Sequence, residues 1–248
     1  VKDPAVSARL ATLLPDVPRF VETRAMLLEG DCEIFGLEED AASPSFVARD
    51  GAEDLVCVVG HPSCEAVAEA LARSGDASAV IAMPENVSRV AQAVPGREPQ
   101  LAILHLLARA ERPPRAREGQ LRLLSGPEEL CLLPPGLRTE LRAELERTLR
   151  RGTPVVAAFV GDVPVSFCYV ASETEGLWDV SIDTLEEHRR RGHAARCAAY
   201  MIRHMRDTVG KEPVWGAVEL NAPSMGLAAK LGFVPVDRVF VFEPVRDR

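Results

Sequence analysis

One stretch constrains what this chain folds into more than any other: Asp179 to Met205 reads as a strand that delivers a tight turn into a helix. From Leu177 to Thr184, apolar Trp178, Val180 and Ile182 alternate with polar Asp179, Ser181 and Asp183. A period of two predicts a half-buried strand. Further on, Ala194, Cys197, Ala198, Met201, Ile202 and Met205 recur at helical spacing, which predicts a helix over 194–207 with one continuous buried stripe.

Between the two lie Arg189-Arg190-Arg191-Gly192-His193-Ala194. The first N–H groups of a helix have no partner within it, and the helix dipole places positive charge at that end, so a helix start suits an anion. Gly192 and Ala194 keep side chains clear of a ligand that must touch backbone, and the arginines supply charge for a phosphate. Taken alone, the arginine triplet equally fits a solvated charged turn.

Arg189-x-x-Gly192-x-Ala194 resembles the [Arg/Gln]-x-x-Gly-x-[Gly/Ala] motif of the GNAT superfamily of acyl-CoA-dependent N-acyltransferases. Downstream, Asn221-Ala222-Pro223-Ser224-Met225-Gly226-Leu227-Ala228-Ala229-Lys230-Leu231-Gly232-Phe233 is similar to that family's Asn-x-x-[Ala/Ser]-x-x-Leu-Tyr-x-Lys-Leu-Gly-Phe segment. Three fixed positions in six residues are a weak signal, but two motifs in order, joined by a helix and a strand, are a strong one.

The resemblance implies an α+β fold over 116–248, a mixed and mostly antiparallel sheet flanked by helices. In that family the central strand and the strand after the helix splay apart, and the pantetheine arm fills the gap. By resemblance, the backbone of Ile182 and Thr184 meets pantetheine and the acyl carbonyl. Arg189, Arg190, Arg191, Gly192, His193 and Ala194 hold the pyrophosphate, and Asn221 and Ser224 contact pantetheine. Asn221 also fits a helix cap before Pro223. The implied activity is transfer of an acetyl or other acyl group from acyl-CoA to a small-molecule or peptide amine, by direct attack and without a metal.

One departure bears on the chemistry. Where many family members carry a Tyr that protonates the departing thiolate, this chain has Ala228, and Tyr200 lies on another helix. For the general base, Asp179 is the candidate, with Asp183 on the same face; a solvent-facing strand carboxylate is the plain alternative for each. The rival to catalysis is a silent protein of this fold that binds CoA or acyl-CoA as a sensor or scaffold.

The preceding half carries no motif. Helical spacing covers 5–14 and 17–28, and strands are expected at 33–37, 45–49 and 55–59. A helix follows from Cys64 to Arg73, a strand over 79–82, a helix over 86–93 and a strand over 101–108. This order echoes part of the C-terminal half, so a second, smaller α/β domain over 1–115, a degenerate GNAT-like copy, is expected. The polar run 111–120 with Pro113 and Pro114 is the expected linker. Beyond it, strands are expected at 121–124, 155–160, 163–171, 214–220 and 239–242, with helices after Pro134-Pro135-Gly136 and over 223–231.

Charge and cysteines narrow the class. Net charge is -8, with 11 basic against 18 acidic residues in 1–115 and 18 against 19 in 116–248. An acidic chain argues against nonspecific nucleic-acid binding. Six cysteines without paired spacing read as reduced core thiols. Cys57, His61 and Cys64 have ligand-type side chains within eight residues, but Cys57 points from an apolar strand and no fourth ligand is near. No apolar run approaches the roughly 18 residues a membrane span requires, and the first residues do not form a signal peptide, so a cytoplasmic protein is expected.

Overall fold

The computed structural model describes residues 2–38, 43–52, 54–74, 78–108 and 121–243. The expected linker, 111–120, and the boundary at 115/116 lie outside them. The chain divides into two compact units: 1–105 with 216–225 and 235–248, and 106–215 with 226–234.

The first unit begins with α1 (Pro4–Leu13) and α2 (Val21–Glu29). Asp3 caps α1 by accepting from the Ala5 amide at 2.8 Å, and Gly30 ends α2 at φ +75°. Strands β1 (Glu33–Glu38), β2 (Ser45–Asp50) and β3 (Leu55–Val59) follow, then α3 (Cys64–Ser74), β4 (Ala79–Ala82), α4 (Val87–Ala93) and β5 (Pro99–Leu107).

The apolar residues of these strands divide between two faces. Phe46, Ala48, Cys57 and Val59 pack with Leu10, Leu14, Met26 and Leu27 of the first two helices and their flanks. Val47, Val56, Val58 and Val80 pack with Ala66, Val67, Ala70 and Val90 of α3 and α4. Continuous apolar runs are what strands covered on both faces require. Cys57 is fully buried and its thiol is pushed up by burial, which fits a core thiol and not a nucleophile.

The second unit holds β6 (Leu121–Leu124), α5 (Thr139–Arg150), β7 (Val155–Val160), β8 (Val163–Glu173), β9 (Leu177–Thr184) and α6 (His193–His204). A π-turn, Met205–Val209, continues α6. The chain then runs through β10 (Glu212–Val218), α7 (Ala222–Lys230) and β11 (Phe233–Phe242), most of β11 belonging to the first unit. Strand order is β1-β2-β3-β4-β11-β5 in the first unit and β10-β9-β8-β7-β6 in the second.

Leu141, Leu145 and Leu149 of α5 join Val155, Ala157, Phe167 and Tyr169 in one cluster. Full burial of a leucine contributes about 1.5–3 kcal/mol, so this seam is a main stabiliser of the unit. Residues paired across an antiparallel ladder share a face. Asp183 opposite Phe167 and Ser181 opposite Tyr169 therefore lie on the α5 face, and Ile182 opposite Cys168 lies on the α6 face.

Several boundaries differ from expectation. The regular helix α6 ends at His204 and gives way to the π-turn, and Ala194 is half-buried where the stripe was expected to bury it. The last strand begins at Phe233 and not 239, because Gly232 at φ +87° turns the chain straight from α7 into β11. β10 runs from Glu212 to Val218, two residues ahead of its expected span.

Candidate functional site

β9 is paired along its whole length on one side only. Toward β8 the ladder runs from Trp178 to Thr184. Toward β10 it takes in Leu177–Asp179 opposite Glu212–Val214 and stops. Among the described residues, Val180 to Thr184 have no strand partner on that side, a run of about 13 Å at the rise of an extended strand.

Hydrogen-bond alternation tells which backbone groups face the open side. The Leu185 amide donates to the Val165 carbonyl at 2.9 Å, so Leu185 and Val165 form a bonded pair of the β8–β9 ladder. Bonded pairs recur every second residue, which turns the N–H and C=O of Asp183 and Ser181 toward β8. Those of Thr184, Ile182 and Val180 face the open side. The Thr184 carbonyl there accepts from the Arg189 guanidinium, Nε at 3.2 Å.

Past Thr184 a single helical turn, Glu186–His188, leads into the arginines. Arg190 has φ +60° and Gly192 φ +81°, so left-handed backbone occurs at alternate positions just before the helix. Gly192 precedes the first helical residue and no side chain caps the helix. The first helical bond runs from the Arg196 amide to the Gly192 carbonyl at 3.3 Å. Among the described residues, no acceptor meets the amides of Arg190 to Ala194. A Cβ built on Gly192 has nothing within 4 Å, so open space lies beside this residue. Arg189, Arg190 and Arg191 are all exposed beside it.

The His193 side chain is turned away from the turn's open amides. The ring is buried, its Nδ1 accepts from the Arg196 guanidinium at 2.8 Å, and it packs edge-on to His188 with centroids 6.3 Å apart. Burial, then the charges of Arg196, His188 and Arg191, hold its pKa below the ordinary histidine value, so the ring is neutral at neutral pH.

The α5 face of β9 carries a polar network. Asp183 Oδ1 lies 2.8 Å from Arg138 Nη2. Burial raises the Asp183 carboxyl above the usual carboxylate value, and Arg138 opposes that rise. The Tyr169 hydroxyl donates to Glu144, and burial followed by Glu144 pushes its ionisation far up. Asp179, on the same face by alternation, sits where the β9–β10 ladder ends. Behind the strand, Ser166 is fully buried and its hydroxyl reaches both the Asp183 carbonyl at 3.0 Å and the Thr184 hydroxyl at 2.7 Å.

Of the residues expected from sequence, Asp179, Ile182, Thr184 and Arg189 to Ala194 occupy one strand and one turn of the second unit. Asn221 and Ser224 belong to the first. There the Asn221 side chain caps α7, its Oδ1 accepting from the Ser224 amide at 3.2 Å. Ala228 is fully buried, so its position offers no group to a ligand. Ser166, Arg138, Glu144 and Tyr169 were not anticipated. A lone serine inside the apolar run of β8 is the one local signal that marked any of them.

The arrangement offers unpartnered amides beside arginines at the helix start and unpaired backbone along the open edge of β9. A family model described as GNAT acetyltransferase matches residues 145–241, which include the open edge, the turn and α6. None of the curated proteins matches the chain. Among solved structures, a GCN5-related N-acetyltransferase-like protein from Streptococcus suis 89/1591 is 21% identical. That match covers 96% of this chain and 97% of that one, with a TM-score of 0.65. A tandem GNAT protein from the clavulanic acid biosynthesis pathway is 15% identical, covers 99% and 97% of the two chains, and has a TM-score of 0.61. A GNAT-family acetyltransferase from Colwellia psychrerythraea is 11% identical over 97% and 95%, with a TM-score of 0.58. At these identities the similarity shows a shared fold over nearly the whole chain. The family match over 145–241, the segment that builds this site, and the shared fold point to acyl transfer.

Proposed function

We propose that this protein is an acyl-CoA-dependent N-acyltransferase that moves an acetyl or other acyl group to an amine. The observation that carries the reading is the run of unpartnered amides from Arg190 to Ala194, with open space over Gly192, at the end of a strand edge that has lost its neighbour. Acyl-CoA supplies the activated acyl thioester.

The residues divide the work by position. The amides of Arg190 to Ala194, the dipole of α6 and the charges of Arg189, Arg190 and Arg191 bind pyrophosphate. The outward N–H and C=O of Thr184 and Ile182 bind the amides of an extended pantetheine arm as a strand would. A backbone N–H on this edge, aimed at the acyl oxygen, stabilises the negative charge that develops there when the amine attacks. The new bond is N–C and the broken bond is C–S. Asp179, at the closed end of the open run, accepts the proton from the amine nitrogen. Solvent supplies the proton to the departing sulfur, since position 228 has no hydroxyl. The acceptor class is an amine on a small molecule or peptide.

The buried Ala228 also favours a second reading, a protein that binds acyl-CoA without turnover. Calorimetric titration with acetyl-CoA and with free CoA tests both. Wild type is expected to bind each, and Gly192→Glu, which sets a carboxylate against the pyrophosphate, is expected to bind neither. Because Gly192 has a left-handed backbone, Gly192→Ala controls for strain and retains binding. Affinity that survives Gly192→Glu would sink the site assignment, and binding without turnover across an amine panel would select the silent reading.

A further inference from the structure

The two units repeat one pattern. In the first, β1 and β2 pair antiparallel, β2 and β3 pair antiparallel, and after α3 the chain returns as β4, parallel to β3. In the second, β7, β8, β9, α6 and β10 do the same. β3 therefore holds in its unit the place that β9 holds in the other, and the turn from Gly60 to Ser63 matches the arginine turn.

The two copies treat that place in opposite ways. Where the ladder from β9 to β10 stops early, β3 is paired with β4 over Leu55–Val58, all but the last of its five residues. The end of this ladder is closed by Asn86, 1% exposed. Its Oδ1 accepts from the Met83 amide at 2.8 Å, and its Nδ2 donates to the carbonyls of Val58 at 3.1 Å and Gly60 at 2.9 Å. One carboxamide thus bridges the backbone just past β4 to the end of β3 and the turn after it. A secondary amide of a pantetheine arm, with one N–H and one C=O, would meet backbone groups of the same kind along an open strand edge.

The turn is filled as well. The His61 amide donates to Ser45 Oγ at 3.1 Å, and the Ala66 amide to Ser63 Oγ at 3.2 Å. A Cβ on Gly60 would lie 2.6 Å from the Pro44 carbonyl oxygen, against nothing within 4 Å for Gly192. No lysine or arginine occurs from Gly60 to Cys64, where the other turn has three arginines. At this turn the His61 and Ala66 amides are already engaged, the space at Gly60 is taken, and the nearby Arg89 guanidinium is held by the Pro62 carbonyl at 3.4 Å.

We propose that the first unit is a self-filled copy of the cofactor-binding fold, in which the Asn86 carboxamide stands in the slot, so that the chain takes up one acyl-CoA and takes it up in the second unit only. The count of one rests on the reading given above for the second unit; the closure by Asn86 does not.

Two measurements on the full chain test it. In hydrogen exchange, the Met83 amide is expected to be protected in wild type and to exchange at least about tenfold faster in Asn86→Ala, the loss of a bond worth roughly 1.4 kcal/mol. Amides of 155–184 serve as the folding control and keep their rates. If Asn86→Ala does not fold, Asn86→Asp is read at the Val58 and Gly60 region, where both donors are lost while the Met83 bond is kept. Met83 exchange that ignores the substitution would overturn the closure. In calorimetry with CoA, wild type is expected to bind one equivalent and Gly192→Glu none. Two equivalents, or a site that survives Gly192→Glu, would overturn the proposal. No binding in wild type would overturn the reading of the second unit and the count of one, while exchange at Met83 still decides the closure.

Discussion

The hydroxyl oxygens of Ser166 and Thr184 lie 2.7 Å apart at the end of the open strand edge. Ser166 has a single proton, and its oxygen also lies 3.0 Å from the Asp183 carbonyl, which has none to give. When Ser166 donates to that carbonyl, Thr184 must donate to Ser166. A fully buried serine on β8 thereby sets both the backbone and the side chain at the point where the strand gives way to the arginine turn.

Ser166→Ala removes this brace and leaves the carbonyl under-satisfied, at a cost of about 1–3 kcal/mol. A urea midpoint shift reads the stability part. For binding, CoA affinity is expected to fall several-fold while that of adenosine 3′,5′-bisphosphate, which lacks the pantetheine arm, stays as in wild type. An equal loss for both would mean that Ser166 supports the unit as a whole and not the strand edge.

Two aspartates are expected to give stability opposite dependences on pH. Burial raises the Asp183 carboxyl, so the folded state binds its proton more tightly than the unfolded state. That contribution is complete below the unfolded value of about 3.9 and is lost as pH rises through the folded value. Asp183→Asn should flatten the decline, and Arg138→Ala, which removes the opposing charge, should steepen it. Asp237 is the reverse case: Arg19 holds its carboxyl low through Nε and Nη2, each at 2.7 Å. Its contribution is present above the unfolded value and lost as pH falls through the folded one. Asp237→Asn should remove part of the acid-side loss and lower stability at neutral pH by on the order of 1 kcal/mol for this partly exposed pair. Urea midpoints from about pH 3 to 7 check both signs.

Gly36 on β1 has φ +56°, and a Cβ there would sit 2.5 Å from the Ala66 Cβ on α3. Gly36→Ala combines backbone strain with overpacking and is expected to cost about 2–4 kcal/mol in denaturant unfolding. Adding Ala66→Gly should recover the packing part and leave the strain, so the double variant falls between wild type and Gly36→Ala.

Local patterning made much of the fold legible. The alternation of Trp178, Val180 and Ile182 marked β9, the apolar spacing from Cys197 to Ile202 marked α6, and Gly30 marked the end of α2. Where patterning missed, it missed at transitions that local spacing does not encode. The π-turn after His204 keeps an apolar Met205 in helical register, and β11 starts directly after Gly232 within a motif that reads as helix.

The sequence by itself determined the composition of the turn: a glycine before a helix, arginines around it and small residues beside them. These are properties of consecutive residues, and their energetics are local. Only the tertiary structure decided that β9 loses its neighbour after Asp179, and that β3 keeps its own. It also decided that Ser166 lies under Thr184, and that Asn86 reaches back 28 residues to Val58. Each of these depends on the register between strands distant in the chain, which hydrogen bonding and packing settle together and which no run of neighbouring residues carries.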